Sequence, residues 1–357
     1  MTDYQDEFQD EIREGFLSLF GPWSEHIEEL EHVIDGPVSL LRARTMNGSI
    51  VVRSGDQTGV TIRVWKIVRG PMEGLAEVFA ERVVVHVEQH EDTVALFAVY
   101  PGLPLGCRVF VRYEIGVPRA LDVDLYTHNG GINVVGVEGA VEAKTWSGNI
   151  ELEDTMGPAK LYAANGSIRI RGLDGAVDAD SGSGSIHLLE SSGHASLRTT
   201  DGNITIVSSD ATIRARSYAG DIGMQGDCGG AELYTVTGDV RARFDAHRRT
   251  GKPVNIIAAS QTGSLFLDVA AGSAVIDAEA VQGSVDLSLS PEFAGQLDAG
   301  THRGAMTCDL PVITDLNTPH RLTGQVGAGG IGRVKVQTFD GDIHIRSCDG
   351  ADASSAR

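Results

Sequence analysis

The sequence predicts an all-β protein built as a parallel β-solenoid, with 18 residues in each rung of the coil. From Gly130 to Phe244 the chain divides into thirteen lines, of nine residues each except the last, which has seven, and twelve of them begin with glycine, Ala211 being the exception. Each line has apolar residues at its third and fifth places and then four residues typical of turns. The glycines that begin alternate lines, such as Gly130, Gly148 and Gly166, are eighteen residues apart, so two lines make one turn of the coil.

The composition of each line predicts a short strand followed by a tight corner. Apolar residues two positions apart lie on one face of a strand. The Asn, Asp, Ser, Thr and Gly residues that follow suit a turn. The leading glycine allows a positive φ or a close approach between neighbouring rungs.

Alternating core residues predict how the rungs stack. In every second strand, large and small residues exchange places from one rung to the next, which keeps the core volume of each rung nearly constant. The pairs are Val141/Ala143, Ala159/Leu161, Val177/Ala179, Ala195/Leu197, Ile213/Ala215 and Ala231/Leu233. On the outer face, Glu151 is expected over Arg169, Glu153 over Arg171, and Glu142, Lys160 and Asp178 in one stack. Such contacts are individually weak and aid the register.

A looser form of the pattern continues after Phe244. Corner glycines recur at Gly263, Gly283, Gly304, Gly324 and Gly341. We therefore expect a solenoid over residues 121–346, with about 12 rungs and a length of roughly 55 Å, and a disordered tail over residues 347–357.

Residues 1–35 are predicted to form an amphipathic helical segment, ending a first helix at Gly21-Pro22 and resuming from Ser24 to Ile34. Its apolar stripe consists of Tyr4, Phe8, Ile12, Phe16, Leu19 and Phe20. Two interpretations fit this stripe. It is a surface for a protein partner or a second copy, or it packs on its own chain.

Residues 36–120 are predicted to form a β-rich cap over the N-terminal end of the solenoid. Six stretches rich in β-branched and aromatic residues indicate strands, and Pro71–Glu81 indicates a short helix with proline in its first turn. A bare terminal rung would expose unpaired backbone, which such a cap covers.

The combined pattern resembles a bacterial putative-adhesin family, a domain of unknown function. The resemblance rests on the strand and helix pattern before Pro118 and on the repeated S/N-G-x-I/V turns after it, and it covers residues 37–345. It implies a single-stranded, right-handed parallel β-solenoid, in line with the usual handedness of parallel crossovers. The family supplies no catalytic residues.

Charge and composition limit the classes of partner, the kinds of site and the cellular locations that we expect for this protein. The formal net charge of -20 argues against binding to nucleic acid or an anionic membrane surface. The four cysteines form no CxxC pair, so neither a zinc site nor a dense disulfide framework is indicated. The acidic N-terminus is unlike a secretory signal, and no run approaches the ~20 apolar residues of a membrane span. We expect a cytoplasmic protein, with a surface or exported location as the alternative.

Known chemical motifs of similar folds are not found. Calcium-binding nonapeptide repeats need aspartate at the sixth place, where this chain has ordinary residues such as Lys144 and Tyr162. Carbohydrate-active β-helices need carboxylates in a groove made by long loops, and these corners are short. The sequence therefore predicts no catalytic, cofactor or metal site and a non-enzymatic function, with a carbohydrate-active enzyme as the least favoured alternative.

The longest insertion in the repeat carries a basic cluster on an acidic protein. The cluster consists of His247, Arg248, Arg249 and Lys252. It is either an anion-binding or partner-binding site or a solvated loop. The leading expectation is a scaffold that self-associates or binds a protein partner, and the alternative is a binding module for an anionic ligand or glycan.

Overall fold

A computed structural model of the chain describes residues 24–71, 74–100, 102, 107–245 and 253–348. The chain divides into two compact units, the first ending at Ser147 and the second beginning at Gly148. Both are built from β-strands, which confirms the all-β prediction. The predicted apolar stripe of Tyr4 to Phe20 and residues 349–357 of the predicted tail lie outside the described residues.

The first unit contains ten strands and one short helix. They are β1 Ser24–Ile34, β2 Leu40–Asn47, β3 Ile50–Gly55, β4 Val60–Gly70, α1 Leu75–Ala80, β5 Val84–His90, β6 Thr93–Val99, β7 Arg108–Pro118, β8 Asp122–Asn129, β9 Ile132–Val135 and β10 Val141–Ser147. The predicted strands are confirmed in this unit, as is a short helix between Pro71 and Glu81. The helix begins at Leu75 after the Gly74 N-cap, so the prediction that proline lies in its first turn is wrong.

Strands of the first unit pair in two columns. One column runs in the order β5, β6, β2, β8, β10, with an antiparallel pair at β5–β6 and parallel pairs elsewhere. The other runs β1, β4, β7, β3, β9, with antiparallel pairs up to β7 and parallel pairs after it. Parallel stacking thus begins at β2 and β3. Their corner, Asn47-Gly48-Ser49-Ile50, carries the same S/N-G-x-I/V signature as the later turns.

The prediction of a helix over Ser24–Ile34 is wrong, because these residues form β1. Acidic residues three apart look helical, but each one faces a basic residue of β4. Glu28 lies opposite Lys66, with 2.6 Å between the carboxylate and Nζ, and Glu25 lies opposite Arg69 at 2.6 Å. Pairing with the free edge of β4 therefore overrides the local preference.

The second unit contains nineteen strands. They are β11 Ile150–Glu153, β12 Ala159–Asn165, β13 Ile168–Arg171, β14 Val177–Ser183, β15 Ile186–Asp201, β16 Ile204–Ala219, β17 Ile222–Gly226, β18 Gly230–Thr237, β19 Val240–Phe244, β20 Val254–Thr262, β21 Leu265–Val269, β22 Ala274–Gln282, β23 Val285–Leu289, β24 Gly295–Arg303, β25 Met306–Cys308, β26 Val312–Thr318, β27 Arg321–Val326, β28 Gly332–Asp340 and β29 Ile343–Ser347.

Most of these strands stack in two parallel columns, and the antiparallel exceptions are the pairs that β27 makes with β24 and β26. The first column follows β12, β14, the second halves of β15 and β16, β18, β20 and β22. The second column follows β11, β13, the first halves of β15 and β16, β17, β19, β21 and β23. Each repeat contributes one strand to each column, which accounts for the eighteen-residue period of the sequence.

Core residues alternate in size along the first column, as the sequence predicts. Leu161 lies beside Ala179, which lies beside Leu197, and all three side chains are buried. The alternation ends at β20, where Ile256 lies beside Ile276. A small residue between two large ones leaves room for both to interdigitate.

A column of buried Ser and Thr hydroxyl groups, here called the hydroxyl column, was not predicted, because its residues fall where the sequence indicates turns. Near the end of most first-column strands, a Ser or Thr hydroxyl donates to the corner glycine carbonyl of the neighbouring rung, whereas β12 and β22 have Ala163 and Ala280 at this position. Thr235 Oγ1 donates to Gly220 O at 2.9 Å. The same bond is made by Ser181, Thr199, Ser217, Ser260, Thr301 and Thr338.

The corners themselves are held by close backbone contacts and by a ladder of side-chain acceptors. A Cβ on Gly220 would lie 2.1 Å from the Gly202 carbonyl oxygen, and its φ is +147°, so only glycine fits. At the next position, Asn203 Oδ1 accepts from the Asp221 amide and Asp221 Oδ1 from the Asp239 amide, both at 2.8 Å. These corner residues therefore hold neighbouring rungs together.

The last two strands of the described residues lie between strands that precede them in the sequence. β28 pairs in parallel with β22 on one side and β24 on the other, and β29 pairs with β23 and β25. The hydroxyl bonds follow this spatial order. Thr338 Oγ1 donates to Gly283 O at 2.8 Å, and Thr301 Oγ1 donates to Gly341 O at 2.9 Å.

The prediction that Gly324 marks another corner is wrong. Gly324 lies inside β27, which pairs antiparallel with both β24 and β26. A Cβ on Gly324 would lie 2.4 Å from the Ile313 carbonyl oxygen. Glycine is therefore required here by the close approach of β26, and a Thr-Gly dipeptide alone does not distinguish this from a corner.

The predicted outward columns of charge are confirmed in register. Glu151 lies beside Arg169, and Lys160 lies beside Asp178. Ion pairs also join residues that the sequence did not predict. Asp178 is paired with Arg198 at 3.7 Å. Ion pairs between exposed side chains are weak, so the partner that each charge takes is harder to predict than the alignment of the strands.

Candidate binding groove

A groove of about 590 Å³ crosses the outer face of the second column of the second unit. The outward side chains of successive strands form its two rows. Neighbouring positions within a row are about 4.8 Å apart, which is the spacing of adjacent strands. The first row is Thr205, Gly223, Arg241, Phe266 and Asp286, and the second is Val207, Gln225, Arg243, Asp268, Ser288 and Arg346. The groove therefore spans several repeats rather than one corner.

A glycine at an outward position opens the groove. Gly223 lies between Thr205 and Arg241 in the first row. A Cβ built on it would meet only the Ile204 carbonyl oxygen, at 4.0 Å. The missing side chain leaves a depression beside Arg241.

The first row combines a cation with an aromatic ring. The Arg241 guanidinium lies 5.1 Å from the centre of the Phe266 ring. It is also paired with Asp239 at 2.7 Å and Asp221 at 3.5 Å. These contacts fix the arginine over the groove, and Phe266 keeps 37% of its surface exposed.

In the second row, Arg243 and Asp268 lie side by side. Arg243 Nε is 3.9 Å from Asp268 and 3.7 Å from Asp245. The Cys348 thiol donates to Asp268 Oδ1 at 2.7 Å, which fixes that carboxylate. Burial together with this hydrogen bond raises the pKa of Cys348 to about 12, so the thiol stays protonated at neutral pH.

Arg346 closes the second row. Its Nε donates to Ser288 Oγ at 2.8 Å. In the part of the chain that the structure describes, no carboxylate lies within ion-pair distance of this guanidinium. Because a guanidinium has five N–H donors, most of those on Arg346 remain for a ligand.

Neither set of predicted site residues can be placed. The basic cluster of His247, Arg248, Arg249 and Lys252 lies outside the described residues, as does the predicted helix with its stripe of Tyr4, Phe8, Ile12, Phe16, Leu19 and Phe20. Both remain predictions. The described chain ends at Asp245 on one side of the basic cluster and resumes at Pro253 on the other.

The groove residues were not identified from the sequence. Part of the signal is present, because Arg241, Arg243 and Phe266 occupy outward places in consecutive repeats. Arg346 was hidden for a different reason. It is 103 residues beyond Arg243 in the sequence, and it lies beside Ser288 only because β29 is inserted beside β23.

The described residues contain no group of three or more His, Cys, Asp and Glu side chains placed to hold a metal ion. All four cysteines are free thiols, and burial raises the pKa of Cys228 to about 11. No described helix combines the length and the apolar character needed to span a bilayer.

This chain is similar, at low sequence identity, to several solved bacterial structures. The sequence matches no family model and no curated protein. A putative adhesin from Bacteroides fragilis is 15% identical with a TM-score of 0.27, covering 91% of this chain and 98% of its own. A putative adhesin from Parabacteroides merdae is 10% identical with a TM-score of 0.33, covering 90% and 96%.

A third similar structure carries a different description. A putative lipid binding protein from Parabacteroides distasonis is 11% identical with a TM-score of 0.28, covering 90% of this chain and 97% of its own. These low values transfer no ligand or partner to this protein.

Proposed function

We propose that this protein is a non-enzymatic β-solenoid scaffold that binds a protein partner or a second copy of itself. A single-stranded, right-handed coil of about 12 rungs is part of this proposal. The observation that supports it is the use of polar residues in the repeats. Hydroxyl groups such as that of Thr235 and carboxylates such as that of Asp221 bind the neighbouring rung.

Residues engaged in this way are poor candidates for catalysis. A nucleophile needs an adjacent base and access to substrate, and the Thr235 hydroxyl is buried and donates to a backbone carbonyl. The Cys228 thiol is also buried, with a pKa of about 11. Stiff stacked repeats that present side chains outward suit binding better than bond chemistry.

The N-terminal stripe provides the test of self-association. The double variant Phe8→Ser/Phe16→Ser removes two apolar side chains, and the control Gln5→Ser/Gln9→Ser changes two polar ones in the same segment. We expect the first variant to lower the mass measured by light scattering or to lose a captured partner, with the control unchanged. Equal behaviour of both variants and the wild type would remove this segment from the proposal.

The location of the protein is part of the same proposal. A cytoplasmic scaffold would meet its partner inside the cell, whereas an exported one would meet it at the surface. Fractionation of the native host, followed by immunoblotting, distinguishes the two. Recovery in the surface fraction would replace the cytoplasmic expectation.

A second candidate function is a binding module for an anionic ligand or glycan. The groove favours it, because three arginines and an exposed phenylalanine line one face of a protein whose net charge is -20. The basic cluster at Arg248 and Arg249 is a separate candidate for the same function. Comparing an Arg248→Ala/Arg249→Ala variant with the wild type in a ligand screen tests that cluster, and unchanged binding would exclude it.

A further inference from the structure

We propose that the groove between Thr205 and Arg346 binds an acidic oligosaccharide in which charged and neutral sugars alternate. This inference rests on the second candidate function, ligand binding, and names its site and ligand class. Its basis is the order of cationic, polar and aromatic side chains along the two rows.

The spacing of the two end arginines calls for an extended ligand. Arg243, Asp268, Ser288 and Arg346 are consecutive in the second row, so the two arginines are three strand steps apart. At strand spacing this is about 14 Å. A small anion reaches one arginine, whereas a chain with spaced carboxylates reaches both, each through paired N–H donors.

The residues between the arginines select against a uniformly charged chain. Asp268 and Ser288 occupy the second row, and Asp286 lies beside Ser288 on the same strand. Carboxylates there repel further negative charge but accept hydrogen bonds from sugar hydroxyl groups. The net charge of -20 adds repulsion against a dense polyanion such as nucleic acid. An alternating acidic and neutral chain meets both requirements.

Phe266 supplies the apolar contact that a sugar ring needs. Its side chain is 37% exposed within the groove, and Arg241 lies against the ring. An extended acidic peptide is a poorer fit, because peptides usually bind sheets by adding a strand to an open edge. The strands beneath Phe266 are interior to the column, with partners on both sides.

The experiment uses the full chain and defined oligosaccharides. Calorimetry measures binding of a hyaluronan hexasaccharide, which alternates a uronic acid with a neutral amino sugar. The comparison ligands are a neutral chitin hexasaccharide, an oligogalacturonate, a poly-glutamate peptide, a single-stranded oligonucleotide and anionic lipid vesicles. We expect the hyaluronan hexasaccharide to bind at least about tenfold more tightly than each comparison ligand, a ratio equal to about 1.4 kcal/mol.

Two variants and one matched control locate the site. Arg346→Gln is expected to weaken binding of the hyaluronan hexasaccharide by about tenfold or more, since it removes a charge-assisted contact. Phe266→Ala is expected to weaken both the charged and the neutral hexasaccharide. Arg169→Ala removes an exposed arginine from an outward position of the same column outside the groove, and it is expected to bind like the wild type.

The outcomes separate this site from the broader function. If both groove variants bind the hyaluronan hexasaccharide as tightly as the wild type, the groove is not the binding site. The ligand would then bind elsewhere on the protein, for example at the basic cluster. Equal or tighter binding of any comparison ligand would overturn the ligand class. Absence of hexasaccharide binding would overturn the whole inference, while the scaffold function is decided independently by the light-scattering test.

Discussion

The Thr235 hydroxyl offers the sharpest test of how the repeats are held together. Thr235→Val keeps the side-chain volume and removes the hydrogen bond to Gly220 O, whose length is 2.9 Å. Thr235 is 5% exposed, so water cannot easily replace the hydroxyl. The lost bond costs about 0.5–1.5 kcal/mol, and the half-buried Gly220 carbonyl left without this donor raises the total to about 1–3 kcal/mol.

Chemical denaturation followed by circular dichroism measures this change. The control Thr200→Val alters an exposed threonine and is expected to stay within about 0.5 kcal/mol of the wild type. In the opposite direction, Ala163→Ser places a hydroxyl fifteen residues after Gly148, the spacing that Ser181 has from Gly166. It is expected to stabilise by up to about 1 kcal/mol. A Thr235→Val protein as stable as its Thr200→Val control would refute a stabilising hydroxyl column.

Three further predictions test the core, a corner and a titrating group. Ala179→Leu places a third large residue between Leu161 and Leu197 and overpacks the core, which should lower the unfolding free energy by about 1–3 kcal/mol. An unchanged denaturation midpoint would contradict the importance of alternating large and small core residues. Gly220→Ala should lower the unfolding free energy by about 1–3 kcal/mol or more, because its Cβ would lie 2.1 Å from the Gly202 carbonyl oxygen. The control is Gly223→Ala, whose Cβ would lie 4.0 Å from its one contact, and equal stability of the two variants would be inconsistent with close corner stacking. Burial, and then the charge of Arg169, lower the pKa of His187, so as the pH falls the unfolded chain takes up a proton before the folded one does. The unfolding free energy should therefore fall as the pH drops below about 6.5. His187→Gln should flatten this pH dependence in denaturation curves between about pH 7.5 and 5, and an equal pH dependence of both proteins would show that His187 does not cause it.

The regular part of the fold was predictable because local and tertiary preferences agree there. Each repeat places apolar residues two apart, and the alternation of Leu161, Ala179 and Leu197 even indicates which residues become neighbours. The hydroxyl column was missed, because a Ser or Thr such as Thr235 suits a turn as well as a buried hydrogen bond. The distinction depends on which carbonyl the neighbouring rung presents.

The failures occurred where distant pairing overrides local pattern. Residues Ser24–Ile34 have helical spacing of acids, but the basic residues of β4 draw them into a strand. Gly324 matches the corner signature, but its antiparallel neighbour decides its role. The groove depends on the same kind of information, since Arg346 reaches it through the insertion of β29 beside β23. No periodicity within one strand encodes such a placement.

The insertion of β28 and β29 also constrains the synthesis of the protein. The ribosome makes β24 and β25 before the strands that separate them from β22 and β23 in the finished fold. Until Gly332–Asp340 is made, the facing edges of β22 and β24 lack the partner that they have in the finished fold, and those of β23 and β25 lack theirs until Ile343–Ser347 is made. Unpaired strand edges promote aggregation. A chain that stops short of Gly332 cannot close this gap. Completion of the columns therefore requires that translation has passed Ser347, and shorter products would keep open strand edges.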